Sequence, residues 1–209
     1  MALFARMSAD SSTGSTATAV DDFDAPESAG IDEITGDYTI DPAHSRIGFQ
    51  ARHAMVTSVR GSFGDFEGTL HLDPANPSNS WAKLTIRVAS VTTGQEQRDA
   101  HLHTGDFFDI ETHPEMTYVS TGVEKLDDET HTVTGDLTIK GVTKAVPVEW
   151  TFNGSAKDPY GNIRVGFEGK TTINRSDWGM TFNAALETGG MLVSDKIKLE
   201  FDISAIKSA

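Results

Sequence analysis

From Gly36 onward, apolar and polar residues alternate with a period of two in a series of short stretches, from which we count about eight or nine strands. The clearest stretch sets Ile197, Leu199 and Phe201 against Lys198 and Glu200. This period places successive side chains on opposite faces of a β-strand, so each stretch is a predicted strand with one buried face. The predicted strands lie near residues 37–41, 45–54, 58–72 (bent at Gly61 or Gly64), 80–90, 115–125, 130–140, 144–154, 162–174 and 193–205.

Short segments rich in proline, glycine and aspartate separate these strands, for example at residues 73–77, 157–161 and 188–190. Such turn signals at short spacing predict antiparallel hairpins rather than crossover connections. A sheet that is apolar on one face must close as a barrel or fold into a sandwich. We favour the barrel, because closure removes exposed edges, which a chain without disulfide bonds would otherwise have to guard with charges or bulges.

One segment breaks the alternation. Thr93 and Glu96 have the spacing of a capping box, in which each side chain satisfies a free backbone amide of a helix start. The following residues, 97–103, are compatible with a helix, and Gly105 stands where a helix would end. The sequence therefore predicts a single short helix between strands.

Residues 1–35 differ from the rest of the chain. They contain one cation and seven acids, and residues 8–18 consist mainly of Ser, Thr, Ala and Gly. A segment with few large apolar residues and like charges cannot offset the entropy cost of ordering. We expect a disordered acidic tail over 1–35, either an interaction tail or a dispensable extension, followed by one domain over 36–209.

The overall charge excludes several kinds of partner. With 17 Lys and Arg against 31 Asp and Glu, the formal net charge is −14, which is unfavourable for binding nucleic acid or an anionic membrane surface. No stretch is long and apolar enough for a transmembrane helix, and no secretory signal is visible. We expect a cytoplasmic protein, with a periplasmic or secreted location as the alternative.

The seven histidines do not predict a metal site. The closest pair, His101 and His103, has an i, i+2 spacing, which points the two rings to different sides of a helix. The other five have no spacing typical of metal ligands. We therefore expect no metal and no cofactor.

Polar residues are densest around Arg98, Asp99, His101 and His103. One interpretation is local, since Asp99 and His103 form an i, i+4 pair on a helix surface. In the other, Arg98 and His101 face a pocket and hold a polar or anionic group. The spacing does not choose between them.

The apolar faces of the strands leave a similar choice. An eight-stranded barrel is either filled by its own side chains or open enough for one small ligand. Several inward positions are small, which favours unfilled volume. These small residues are Ala51, Gly68, Ala82, Gly169 and Ala205.

Several motifs, in the right order, resemble the YceI-like proteins over about residues 37–206. They are Asp41-Pro42-Ala43-His44-Ser45, Gly61-x-Phe63-x-x-Phe66-x-Gly68, Arg98-Asp99-x-His101-Leu102, Asp106-Phe107-Phe108-Asp109, His113-Pro114, Gly135-x-Leu137-Thr138-Ile139-x-Gly141, Gly166-Phe167 and Asn174-Arg175-Ser176-Asp177-Trp178-Gly179.

The resemblance implies an extended, eight-stranded antiparallel lipocalin-like barrel whose apolar tunnel binds a polyisoprenoid, either a polyprenyl phosphate or an isoprenoid quinone, or another long-chain lipid. It further implies a carrier protein without catalytic residues, linked to stress response, and allows a homodimer. The alternative is an enzyme that acts on the bound amphiphile through Arg98, Asp99 and His101. The predicted ligand-binding residues are Phe49, His53, Phe63, Phe66, Trp81, Leu84, Arg98, His101, Leu102, Phe107, Phe108, Trp150, Phe152, Phe167, Arg175 and Trp178.

Overall fold

A computed structural model describes residues 31–187 and 189–208. The predicted tail lies outside the described residues up to residue 30. Within the last residues of the predicted tail, Ile31–Ile34 form one helical turn, α1. Ile34 is buried in the core, and its carbonyl accepts a hydrogen bond from the Tyr38 hydroxyl at 2.7 Å.

The described chain contains eleven strands and, besides α1, one longer α-helix, α2 (Glu96–His103). The strands are β1 (Gly36–Ile40), β2 (Arg46–His53), β3 (Thr57–Phe63), β4 (Phe66–Leu72), β5 (Trp81–Arg87), β6 (Val91–Thr92), β7 (Glu115–Lys125), β8 (Thr130–Ile139), β9 (Val142–Lys157), β10 (Ile163–Asn174) and β11 (Val193–Lys207). Four short 3-10 helices, Pro42–His44, Pro77–Asn79, Val88–Ser90 and Arg175–Trp178, lie between strands.

Eight of these strands close into an antiparallel ring in the order β1-β4-β5-β7-β8-β9-β10-β11, and β11 pairs back onto β1. The predicted eight-stranded antiparallel barrel with one short helix is confirmed. Strand β11 is long enough to have two partners on the same side, with β1 at its C-terminal end and β2 along its N-terminal part. Strands β2, β3 and β6 thereby extend the sheet at one end of the ring.

The predicted strand over 58–72 is two strands. Gly64 and Asp65 separate β3, which pairs with β2 and β6, from β4, which pairs with β1 and β5. Two backbone hydrogen bonds join this corner to the next one along the chain, from Gly64 N to Ser90 O at 3.3 Å and from Arg87 N to Asp65 O at 2.9 Å. At these two corners the chain passes between the closed ring, which contains β4 and β5, and the extension of the sheet that contains β3 and β6.

Helix α2 begins differently from the prediction. Its N-cap is Gln95, whose side chain accepts a hydrogen bond from the Arg98 amide. Thr93 instead donates from its amide to the Asp99 carboxylate at 2.9 Å, and its hydroxyl donates to the same oxygen. The predicted capping box is therefore wrong, because the Thr93 side chain is occupied by Asp99.

The inward-facing residues at the β1 end of the barrel pack into a solid core. Tyr38, Val165 and Ala205 are almost completely buried there. A Cβ atom added at Gly68 would lie 2.6 Å from the Ile40 side chain, so this glycine leaves room for its neighbour and not for a ligand. The other end of the barrel, where β2 and α2 lie, is packed differently.

Candidate ligand-binding cavity

The β2 end of the barrel encloses a cavity of about 540 Å³. This volume falls within the range of about 300–1,000 Å³ typical of small-molecule sites. The inner wall is apolar and draws on the inward faces of β2, β5 and β7 to β11. Its apolar residues include Ile47, Phe49, Leu84, Ile86, Met116, Val146, Val148, Trp150, Ile173, Ile197, Leu199 and Phe201.

The register of the strands shows which residues close the inner end of the cavity, which we call its floor. Trp150 and Phe201 both pair with Gly169, and their rings lie 5.3 Å apart. One inward position further down, Phe152 and Phe167 pair with each other and do not line the cavity. The Trp150–Phe201 pair therefore separates the cavity from the solid core.

The mouth of the cavity is formed by residues of α2, by Arg52 and His53 at the end of β2, and by Met180, Phe182 and Leu192. Phe182 packs edge-on against His101 at 4.8 Å and lies 5.5 Å from Phe107. The polar residues at this end are Arg52, His53, Thr93, Gln95, Gln97, Arg98 and His101. Among the described residues that line the cavity, none is Asp or Glu, although the chain has 31 of them.

The side chains of the polar cluster on α2 have separate partners. Arg98 lines the cavity, and its guanidinium donates to the Thr93 hydroxyl at 2.7 Å and to the Thr93 carbonyl at 2.8 Å. His101 also lines the cavity and lies 2.9 Å from the Asp106 carboxylate. Both side chains are therefore held at the mouth rather than left free to swing.

Asp99 faces the strand instead of the cavity. Its two carboxylate oxygens accept hydrogen bonds from Thr93 and Thr92. Burial raises the pKa of Asp99, but the hydrogen bonds from Thr93 and Thr92 outweigh this effect and hold the pKa below its usual range. The residue acts as a link between α2 and β6.

Arg175 is a buried cation at the cavity wall, with only 4% of its surface exposed. Its guanidinium donates to the carbonyls of Ser194, at 3.0 Å, and of Met180. Burial lowers the pKa of Arg175, and the nearby Asp195 carboxylate partly offsets this. Because arginine stays protonated in proteins, a full positive charge lies beside the cavity.

Eleven of the sixteen predicted ligand-binding residues line the cavity. They are Phe49, His53, Phe63, Leu84, Arg98, His101, Leu102, Phe107, Phe108, Trp150 and Arg175.

The other five lie elsewhere. Trp81 is on the outer face, 39% exposed, with its ring stacked on His71. Phe152 and Phe167 pack against each other below the floor. Phe66 and Trp178 are buried in the core, where the Trp178 indole donates to the Leu137 carbonyl at 3.3 Å.

Sequence reasoning missed several lining residues. Met180, Phe182 and Leu192 belong to a segment without strand periodicity, so the sequence carried no signal for them. Tyr118 alternates with polar neighbours on β7, so its inward position could have been predicted from the period-two pattern. Its hydroxyl donates to the Val133 carbonyl at 2.9 Å, and burial raises its pKa.

The inference from small residues to empty volume is correct at Ala51 and wrong at Gly68, Gly169 and Ala205. Ala51 lines the cavity. A Cβ atom at Gly169 would lie 2.6 Å from the Trp150 ring, and Ala205 is fully buried in the core. Large neighbours fill the space beside these small residues.

Within residues 31–187 and 189–208, no group of three or more His, Asp or Glu side chains is placed to hold a metal ion. The same part of the chain contains no helix long and apolar enough to cross a membrane.

Comparison with protein families matches residues 38–205 to the YceI-like domain. A UPF0312 protein from Pseudomonas savastanoi pv. phaseolicola is 39% identical over 149 residues, which are 70% of this chain and 78% of that protein.

Two solved structures are similar in fold. A YceI protein from Campylobacter jejuni has a TM-score of 0.66 and 33% identity, with 76% of this chain and 90% of that chain covered. A polyisoprenoid binding domain from Saccharophagus degradans has a TM-score of 0.62 and 16% identity, with 82% of this chain and 98% of that one covered. The barrel is therefore a known architecture with solved relatives.

Proposed function

The chain belongs to the YceI-like domain family, and we propose that it binds a long-chain amphiphile of the polyisoprenoid class inside the barrel. The observation that carries this proposal is the cavity of about 540 Å³ with an apolar wall, closed below by Trp150 and Phe201. A hydrocarbon chain is the occupant that such a wall accepts without leaving polar groups unpaired.

The distribution of polar groups orients the proposed ligand. Most side chains of the wall between the floor and α2 are apolar, with Arg175 as the one charged residue among the described residues of that wall, whereas Arg98 and His101 lie at the mouth. The chain of the ligand would therefore enter first, and its polar head would remain near α2. Each buried CH₂-sized group contributes about 0.8 kcal/mol, less the cost of ordering the chain.

The similar fold of a polyisoprenoid binding domain supports this ligand class. That domain shares 16% identity with this chain, and the likeness lies in the architecture of the barrel. The physiological amphiphile could be a polyprenyl phosphate or an isoprenoid quinone, and the cavity walls suit the chain of either.

The alternative of an enzyme that uses Arg98, Asp99 and His101 receives little support from the site. The Asp99 carboxylate is turned to Thr92 and Thr93, away from the cavity. The family comparisons also point to a binding protein rather than an enzyme. A carrier role is the simpler interpretation of the arrangement.

Native mass spectrometry of protein purified without detergent tests the proposal. The expected result is a species heavier than the 22.5 kDa chain that loses a lipid-soluble molecule on organic extraction. Added polyprenyl phosphate or quinone should then rebind to the extracted protein. A chain that stays at its own mass under both conditions would contradict the proposed function.

A further inference from the structure

Three exposed apolar side chains form a patch beside the mouth of the cavity. Met55 and Val56, in the turn between β2 and β3, are 60% and 75% exposed, and Met191 is 46% exposed. The Ala54 amide donates to the Leu192 carbonyl at 2.8 Å, so the turn and the segment that carries Met191 are joined. We call Met55, Val56 and Met191 the rim patch.

The rim patch is continuous with the cavity. His53, directly before the turn, and Leu192, directly after Met191, both line the cavity wall. Through Met191 and Leu192, apolar side chains thus run from the outside of the protein to the cavity wall, beside the polar residue His53. A ligand that leaves a hydrocarbon phase at the rim patch would not need to cross water with its chain exposed.

The turn that carries Met55 and Val56 has an unusual backbone conformation. Ala54 and Met55 have φ angles of 48° and 63°, in the left-handed region. Asn, Asp or Gly would adopt these angles at lower cost, because other side chains crowd the backbone there. Met55 is therefore unfavourable both for its backbone angle and for its exposure to water. Such a combination is typical of a residue kept for function.

Positive charge is concentrated on the outer face of the sheet next to the patch. Arg60, Lys196 and Lys198 lie on the outer sides of β3 and β11, and Arg52, near the end of β2, lies between this face and the cavity mouth; all four are exposed. Lys198, Gln50 and Arg60 stand in one cross-strand row.

None of these four cations forms an ion pair with a carboxylate of the described residues. In a chain with a net charge of −14, this face is an exception, and it complements an anionic surface. An apolar patch flanked by cations is the pattern of proteins that lie on a membrane interface.

We propose that this end of the barrel docks on an anionic membrane surface, with the rim patch inserted among the lipid head groups and the four cations above the phosphates. The cavity mouth then faces the bilayer, and the amphiphile moves between membrane and barrel. The inference rests on the proposed function, because it gives the source from which the ligand would be loaded. It also corrects the expectation, drawn from the net charge alone, that the protein does not bind an anionic membrane surface, because net charge does not show how the charges are distributed.

Vesicle co-sedimentation of the full-length chain tests the docking surface. We expect binding to vesicles of phosphatidylcholine with added phosphatidylglycerol and much weaker binding to vesicles of phosphatidylcholine alone. Met55→Asn should lower the binding at least tenfold while leaving the thermal midpoint of unfolding unchanged or raised, because Asn tolerates the left-handed angle. The matched control is Leu126→Asn, which alters a 53% exposed apolar residue at the other end of the barrel and should bind as the wild type does.

The cations provide a second, independent variant. Each Lys or Arg near an anionic surface strengthens binding by about fivefold, so Lys196→Gln with Lys198→Gln should weaken binding by roughly 30-fold. Wild-type protein that does not bind the anionic vesicles, or Met55→Asn and the double lysine variant binding as tightly as the wild type, would overturn the proposal.

A parallel assay separates this inference from the proposed function. Uptake of fluorescently labelled farnesol from solution, without vesicles, reports the cavity alone, and Met55→Asn should retain it. Wild-type uptake without vesicle binding would refute the docking surface and leave the cavity proposal intact. Vesicle binding without any uptake would support the surface and refute the ligand proposal.

Discussion

Replacing Ala51 with tryptophan would narrow the cavity near its mouth. Ala51 faces inward on β2 and pairs with Val59 on β3 and Ile197 on β11, and all three residues line the cavity. An indole ring at this position would occupy the space that connects the mouth to the deeper wall at Leu199 and Trp150. The ring would enter existing space and displace no packed side chain.

The magnitude follows from the hydrocarbon that the ring displaces. If the indole takes the place of about one isoprene unit, which has five carbons, about 4 kcal/mol of burial is lost at about 0.8 kcal/mol per group. Since about 1.4 kcal/mol corresponds to a tenfold change in affinity, the upper limit is on the order of 1,000-fold. A chain that slides toward the mouth recovers part of this, so we expect a loss of roughly 100- to 1,000-fold.

Fluorescence titration with labelled farnesol measures this loss, and the matched control is Gln50→Trp. Gln50 is the neighbouring residue on the outer face of β2, so its substitution adds the same ring outside the cavity. Both variants should unfold close to the wild-type temperature, since neither overpacks a filled core. Ala51→Trp protein that is folded and binds the probe as tightly as the wild type would refute the idea that the ligand occupies this cavity.

Three further predictions concern the framework of the barrel. Arg175→Leu removes the donors to the Ser194 and Met180 carbonyls and should lower the free energy of unfolding by about 2–5 kcal/mol in urea denaturation; an unchanged midpoint would contradict the assigned contacts. Hydrogen bonds lower the pKa of Asp158 to about 2, and the largest contribution comes from the Asn162 side chain. The stabilisation that the Asp158 charge provides is therefore complete above the ordinary aspartate pKa of about 3.9, and it is lost as the pH falls toward 2. Asp158→Asn should therefore melt at a lower temperature than the wild type at pH 7, with the gap closing below about pH 4 in thermal scans; a gap that is the same at all pH values would argue against it. Gly141→Ala at φ 73° should cost about 1–2 kcal/mol by the same denaturation assay, and a neutral result would contradict the assigned turn geometry.

Alternation along the sequence predicted most of the barrel. On β11, the contrast between Ile197, Leu199 and Phe201 and the charged residues between them identified the inner face correctly, because one face of a barrel strand is dry and the other wet. The same parity placed Trp81 on the outer face. Its inclusion among the predicted ligand-binding residues followed its aromatic character instead, and Trp81 does not line the cavity.

The alternation of residues along a strand shows which side chains face inward, but it does not show how deep the cavity extends. Phe152 and Phe201 both lie on the inner face, but only Phe201 lines the cavity, because Phe152 packs below the floor against Phe167. That outcome depends on which neighbour fills the space beside a small residue, as Trp150 does beside Gly169. The contacts at the floor join residues from three strands, so they cannot be predicted from the pattern within any one strand.

The mouth was the least predictable part of the site. Phe182 lies in a segment without regular structure, and it reaches His101 through a tertiary contact. The corner at Gly64 was anticipated as a bend, but the exchange of strand partners there depends on closure of the whole barrel. Long-range pairing decides both features.

A high-resolution crystal structure of the protein as purified would test the central claim most directly. The account predicts elongated, continuous density inside the barrel, running from the mouth near His101 down to the rings of Trp150 and Phe201. A cavity filled by the protein's own side chains, or by scattered water alone after incubation with a polyprenyl lipid, would contradict it.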